Sequence, residues 1–324
     1  MQIVALLFRR VGDSLMATPA LRAVKRQYPE AHLAVIAEPQ VVRVFEHNPM
    51  IDEIRPIGNG PSIFTLSAAI RRKGTPDIAL DFLSDPRSAL GCLLSRARRR
   101  VGFERRVRSQ FYTDRIARQD PQHPMYSAMH KLALARAVGA QHGDVETEFY
   151  LTDEDRAFAS TAWNERGWNE DSNVAAFFIN SRREHKRWPL SHFAGVVTKM
   201  QAESLATPVV LLTPGDESAV SALRAEAHLP DANVVRAKSL GQLGGILERC
   251  QLLIGNDGGP KHIAVALHVP TVTVFGPDSA AHWTPPNSAV HIAVAPEGEE
   301  SSIADVPPDA VYQAAANVLS KALQ

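Results

Sequence analysis

The chain has 324 residues, of which 45% are hydrophobic and 22% charged, enough apolar material for two cores of roughly 150 residues each and too much for a disordered protein. Its 35 Lys plus Arg balance its 35 Asp plus Glu, which argues against a protein whose main work is coating nucleic acid. The two cysteines, Cys92 and Cys250, form neither a Cys-x-x-Cys zinc pair nor a disulfide framework, so a reducing cytoplasm fits. The apolar run 3–8 opens the chain, but it is too short for a signal-peptide core and the basic pair Arg9-Arg10 follows it. No stretch reaches the roughly 18 consecutive apolar residues of a spanning helix, so neither export nor membrane insertion is expected.

Short apolar runs then alternate with helical patterns, the signature of a parallel sheet with helices on both faces. Strands are predicted over 3–8, 33–37, 78–82 and 100–103. Between the first two, Leu21, Val24 and Tyr28 fall at helical spacing after Pro19, which suits a helix start. The changeover to a second lobe is placed at 152/153. There Asp153-Glu154-Asp155 resembles a metal clamp but reads better as a helix start, because Thr152 and Asp155 have capping-box spacing. A second set of strands is predicted over 174–179, 209–213, 233–235, 252–255 and 271–275, with Ser239 and Gln242 capping a helix that carries Leu240, Leu243 and Leu247 on one face. A last helix over about 309–323 is expected to pack near the lobe junction.

Three strand-to-helix turns can carry chemistry, because ligands of doubly wound folds collect at the carboxyl ends of the strands. The first is Gly12-Asp13-Ser14-Leu15, where an acid faces the crevice or, on a blander reading, Asp13 or Ser14 merely caps a helix. The second runs from Asn180 through Ser181, Arg182, Arg183, Glu184, His185, Lys186 and Arg187 to Trp188-Pro189; its cations suit a diphosphate, or form a solvated charge run. The third is Gly255-Asn256-Asp257-Gly258-Gly259-Pro260-Lys261-His262-Ile263-Ala264, whose glycines let backbone approach a phosphate at a helix N-terminus, or make an ordinary tight turn. Neither a Gly-x-Gly-x-x-Gly fingerprint nor a Walker loop is present, which argues against a nicotinamide oxidoreductase or a P-loop ATPase.

Taken together, these turns resemble the ADP-heptose:lipopolysaccharide heptosyltransferases, glycosyltransferase family nine. The matching stretches are Gly12-Asp13-Ser14-Leu15 with Thr18-Pro19-Ala20-Leu21-Arg22, then Lys186-Arg187-Trp188-Pro189, and Asn256-Asp257-Gly258-Gly259 with His262 through Pro270 to Phe275-Gly276-Pro277. The resemblance implies a GT-B fold of class α/β: two Rossmann-like lobes with parallel sheets facing a central cleft, residues 1–152 for the acceptor and 153–324 for the nucleotide sugar. It implies inverting transfer without metal or other cofactor. Asp13 matches the family's catalytic base, Lys186 its phosphate-contacting lysine, the Asp257-Gly258-Gly259 turn its donor-phosphate loop, and Glu217 a position near the nucleotide ribose. Where many relatives have Ser or Thr this chain has Gly258, so a hydroxyl contact to the donor is missing. Gly12, Ser181, Arg182, Arg187 and His262 complete the expected donor site.

For the acceptor, the dense segment Arg96, Arg98, Arg99, Arg100, Arg105, Arg106 and Arg108 can grip a phosphorylated or carboxylated lipid-linked glycan, touch the anionic cytoplasmic leaflet, or simply be solvated. Of these, Arg105, Arg106 and Arg108 are taken as acceptor-binding. His123, His130, His142 and His185 have no metal-like spacing. No nucleic-acid partner is expected, and the protein is placed in the cytoplasm, peripheral at most to its membrane. The competing readings are a transferase of the same fold using another nucleotide sugar or acceptor, and a non-catalytic nucleotide-sugar-binding protein in which Asp13 is dispensable.

Overall fold

The computed structural model describes residues 1–322 except Arg105, Val107, Pro121, Gln122, His142, 277–279, Glu299 and Glu300, and excepting also the side chains of Arg108 and Ala322. It divides into two compact units, Met1–Tyr150 and Leu151–Gln324.

In the first unit the elements run β1 (Gln2–Leu6), α1 (Val11–Leu15), α2 (Thr18–Gln27), β2 (His32–Ala37), α3 (Pro39–Phe45), β3 (Glu53–Pro56) and α4 (Ile63–Ile70). They continue with β4 (Ile78–Asp81), α5 (Pro86–Ser95), β5 (Arg99–Phe103), β6 (Asp114–Ile116) and α6 (Ser127–Ala137). All strand pairs are parallel, in the order β3-β2-β1-β4-β5-β6. Central strands are apolar on both faces because helices cover both: Val4, Leu6, Ala34, Ile36 and Ala79 pack on one side with Leu66, Ile70 and Cys92.

The second unit runs α7 (Asp153–Asn164), β7 (Val174–Phe178), α8 (Leu190–Ala202), β8 (Thr207–Leu212), α9 (Glu217–Glu226), β9 (Val234–Arg236) and α10 (Leu240–Glu248). It ends with β10 (Leu252–Asn256), α11 (Gly259–Ala266), β11 (Thr271–Val274), α12 (Ala280–Trp283), β12 (His291–Val294) and α13 (Pro308–Ala322). The order β12-β11-β10-β7-β8-β9, again all parallel, repeats the topology of the first sheet strand for strand. In each sheet the direction of winding reverses beside the first strand, at β1/β4 and at β7/β10, where a doubly wound fold opens a ligand crevice.

The α/β class with two parallel Rossmann-like sheets is the one expected from sequence. Three strands escape the sequence reading, β3, β6 and β12, and all three are edge strands. The α7 start is a capping box: Thr152 Oγ1 accepts from Asp155 N at 3.1 Å and Asp155 Oδ2 accepts from Thr152 N at 3.0 Å. Asp155 is buried, so it is no metal clamp. The last helix, α13, starts at Pro308 and packs Val311, Tyr312, Ala315, Val318 and Leu319 into the core of the second unit, over α8 and β10–β12. Among the described residues no helix is long and apolar enough to cross a membrane.

Candidate functional site

At the carboxyl end of β10 the side chain of Asn256 ties the two strands of the second crevice together. It donates to Ile179 O at 2.8 Å and accepts from Trp188 N at 3.0 Å. Trp188 in turn is buried and donates through its ring N–H to Val306 O at 3.0 Å. These bonds fix the loop after β7, and the short 3₁₀ turn Glu184–Lys186 within it delivers Lys186 to Asp257.

Lys186 Nζ lies 2.9 Å from Asp257 Oδ2, with the two side chains only 14% and 9% exposed. Asp257 Oδ1 faces Lys261 Nζ at 3.9 Å and His262 Nε2 at 3.6 Å. Burial alone pushes the Asp257 carboxyl up, but the neighbouring His262, Lys261 and Lys186 outweigh it and hold the group well below the usual carboxylate range. Lys261 is itself enclosed: its ammonium donates to the Trp283 carbonyl and sits 5.4 Å above the Phe275 ring. Burial lowers its pKa to about 8, with Asp257 opposing that fall. Trp283 also lies under Lys186, at 6.0 Å, and edge-on to His262 at 5.9 Å.

The glycines of this turn differ in what they permit. A Cβ at Gly255 would lie 2.3 Å from the Phe178 carbonyl oxygen, so only glycine fits there. At Gly258, which is extended, a Cβ would approach the Phe178 ring at 3.1 Å, so the ring fills the space beside this position. Gly259 opens α11, whose first N–H groups have no helical partners and present partial positive charge.

The remaining donor candidates are spread around this cluster. Ser181 is buried, and its carbonyl accepts from Arg187 Nε at 2.6 Å, while Arg182 is exposed. Asn180 and Thr213 both donate to the buried carboxylate of Asp216, locking the loops after β7 and β8 to each other. Glu217 begins α9 on the surface and accepts from Gly215 N and Arg236 Nη1, each at 3.1 Å. These bonds to Gly215 and Arg236 place Glu217 at the ends of β8 and β9.

In the first unit, Asp13 lies in the first turn of α1, just beyond β1, and neither it nor Ser14 caps a helix. Its side chain is 36% exposed, and the ammonium of Lys131 on α6 stands 3.5 Å from Oδ1 while donating to Ser127 Oγ at 2.8 Å. Gly12 precedes it in the same turn. The arginine of the neighbouring motif, Arg22, is buried in ion pairs with Asp144 and Glu148 and so pins the 144–148 segment. Of the acceptor candidates, Arg106 is exposed and lines a surface hollow with Glu104, Ser109, Ala117 and Arg118. Arg105 and the side chain of Arg108 lie outside the described residues, as do His142 and Pro277.

Sequence reasoning missed Lys131 and Trp283, and gave Lys261, which it placed in the third turn, no role of its own. The i,i+4 spacing of Asp257 and Lys261 was a usable signal. Nothing in the sequence links Lys131 to Asp13 across the 118 residues between them. Among the described residues no group of three or more His, Cys, Asp or Glu is placed to hold a metal ion.

Comparison with known proteins assigns the family and supports the fold. The family model for Glycosyltransferase family 9 (heptosyltransferase) matches residues 64–306. A lipopolysaccharide heptosyltransferase 3 of Escherichia coli is 22% identical over 302 residues, covering 85% of this chain and 83% of the relative. Among solved structures, a family 9 glycosyl transferase from Veillonella parvula superposes with a TM-score of 0.85 at 23% identity, covering 99% and 97% of the two chains. The E. coli ADP-heptose lps heptosyltransferase II gives 0.79 at 22% identity, with full coverage of both. With the family pattern running through more than half of its length, the chain belongs to glycosyltransferase family 9, the heptosyltransferases, and is a glycosyltransferase.

Proposed function

We propose that the chain transfers a heptose from ADP-heptose to a hydroxyl of a lipopolysaccharide core or related lipid-linked glycan, inverting the anomeric carbon and using no metal ion. The observation that carries the reading is the gathering of Lys186, Lys261 and His262 around Asp257 at the β7/β10 crevice, beside the opening N–H groups of α11. The donor and acceptor classes are supported by the descriptions of the E. coli relatives as ADP-heptose lps and lipopolysaccharide heptosyltransferases.

In the transfer, Asp13 takes the proton of the acceptor hydroxyl as its oxygen attacks the anomeric carbon. The bond to the diphosphate breaks on the opposite face, and its electron pair leaves with ADP. Lys186, with three donors on its ammonium, can keep Asp257 and still reach a phosphate oxygen, and the α11 N-terminus adds further donors where the charge develops. Lys261 is too enclosed to reach a ligand and acts through Asp257. Lys131 holds the Asp13 carboxylate in place. The protein works in the cytoplasm, against the inner leaflet that carries its acceptor.

Asp13→Asn is expected to keep donor binding in calorimetry while turnover falls by about 10²- to 10⁴-fold, the usual contribution of a general base. A fully active variant removes Asp13 from the mechanism. Turnover of the unaltered protein should persist in excess chelator, and an absolute need for added magnesium or manganese would falsify the metal-free step.

A further inference from the structure

Six large apolar side chains are exposed among the described residues, and three of them, Phe64, Leu93 and Leu94, belong to the packed helix pair α4–α5 in the first unit. Phe64 is 72% exposed, the most of the six. It lines a surface hollow with Ser67, Ala68, Arg71 and Leu94, so the aromatic ring, the end of α5 and a guanidinium meet at one place. The pattern follows from the helix: Leu66 and Ile70 turn inward to the core, while Phe64, Ala68 and Arg71 run along the outer face at i, i+4, i+7.

The sequence of this helix pair is cationic. Residues 57–76 and 86–100 contain no Asp or Glu, yet they carry Arg71, Arg72 and Lys73 after α4, and Arg87, Arg96, Arg98, Arg99 and Arg100 within and after α5. Arg72 and Lys73 are drawn toward Glu53 at 3.9 and 3.3 Å, Arg98 toward Asp77 at 3.3 Å, Arg87 toward Asp85 at 4.0 Å and Arg99 toward Asp114 at 2.6 Å; Arg71 and Arg96 have no acidic partner among the described residues. In a chain whose total charge is zero, this leaves Arg71, which lines the hollow, and Arg96, at the end of α5, as cations without an acidic partner beside an exposed aromatic and two leucines. Self-association through this face would set like charges against each other in a two-fold pair, which disfavours a second copy as its occupant.

We propose that the α4–α5 face is a membrane-docking surface, with Phe64, Leu93 and Leu94 entering the headgroup region of an anionic bilayer and Arg71 and Arg96 contacting its phosphates. Apolar anchors flanked by cations are the arrangement that interfacial binding requires. The assignment deepens the proposed function, in which the acceptor is lipid-linked, and rests on it for the choice of a bilayer over another anionic surface. It places the lipid contact on a different surface from the Arg106 hollow.

The test is co-sedimentation with vesicles of phosphatidylcholine, with and without phosphatidylglycerol, measured without donor or acceptor. Binding is expected only to the anionic vesicles and should weaken as salt rises. Phe64→Asp should lower partitioning by about tenfold or more, and the pair Arg71→Glu, Arg96→Glu by roughly tenfold, while Arg106→Glu leaves it unchanged. Because Phe64 is exposed, its variant should unfold at the same temperature as the parent; Phe64→Trp should show blue-shifted emission on anionic vesicles only. No binding by the parent protein, or binding lost in Arg106→Glu but kept in Phe64→Asp, overturns the assignment. So does a dimer of the parent that Phe64→Asp dissociates. Donor calorimetry and turnover on a delipidated acceptor should be the same in Phe64→Asp as in the parent. An absence of turnover in the parent would instead count against the transfer reaction and leave the vesicle result standing.

Discussion

Asp81 closes β4 in the first unit and Asp257 follows β10, the corresponding strand, in the second, yet their surroundings drive the two buried carboxyls in opposite directions. Asp81 accepts only from neutral donors, Leu83 N at 3.0 Å, Ser84 N at 2.9 Å and Tyr112 OH at 2.7 Å. Burial dominates there and raises its pKa to about 6. Around Asp257 burial is overcome by His262, Lys261 and Lys186, and the carboxyl stays ionised. The repeated topology supplies equivalent positions, and the neighbouring side chains set the sign of the field. The crevice after β10 is rich in cations, whereas Asp13 in the first unit is 36% exposed with Lys131 at 3.5 Å.

The largest disturbance of this contrast should come from Lys186→Met, which removes the cation nearest Asp257. Turnover is expected to fall on the order of 10²- to 10³-fold in steady-state assays, the usual effect of losing one group that stabilises developing charge. A loss below threefold would mean that Lys186 does not meet the leaving group.

Asp257→Asn attacks the same cluster from the other side, by leaving buried ammonium groups without their counter-charge. It should destabilise the second unit by about 3–5 kcal/mol in denaturant titrations. The folded pKa of Asp257 is depressed, so its contribution is complete above the ordinary carboxyl value and is lost as pH falls below it. The parent should therefore lose stability in acid more steeply than the variant.

Asp81 should behave in the opposite sense. Its folded pKa of about 6 exceeds the ordinary 3.8, so the folded state binds the proton more tightly between these values and stability declines as pH rises through that window. The penalty is on the order of 3 kcal/mol and is constant above the window. Asp81→Asn, whose amide can still accept from Leu83 and Ser84, should flatten the slope between about pH 4 and 6, read by thermal unfolding across pH. An unchanged slope would show that Asp81 is ionised without strain.

The residues that the sequence made legible share a property: their environment is set by near neighbours along the chain. The central strands were readable because strands covered on both faces are continuous apolar runs, as in β7, Val-Ala-Ala-Phe-Phe. Three of the four edge strands were not. β6 reads Asp-Arg-Ile and β12 is only partly buried throughout, so neither carries the apolar signal, and they become strands because a neighbour already offers its open edge. The helix starts at Thr152 and Ser239 were visible because a cap bonds within its own first turn.

At the site the same division holds. That Asp13, Lys186 and Asp257 follow strands of two α/β lobes was written in the order of residues, because strand-turn-helix order is local and the crevice lies at the carboxyl ends. Which groups meet there came from packing: Asp257, not solvent, receives Lys186, Lys131 stands beside Asp13, and Phe178 fills the space next to Gly258. Such pairings join residues far apart in the chain. Their energies depend on distance and burial, which no spacing along the sequence encodes.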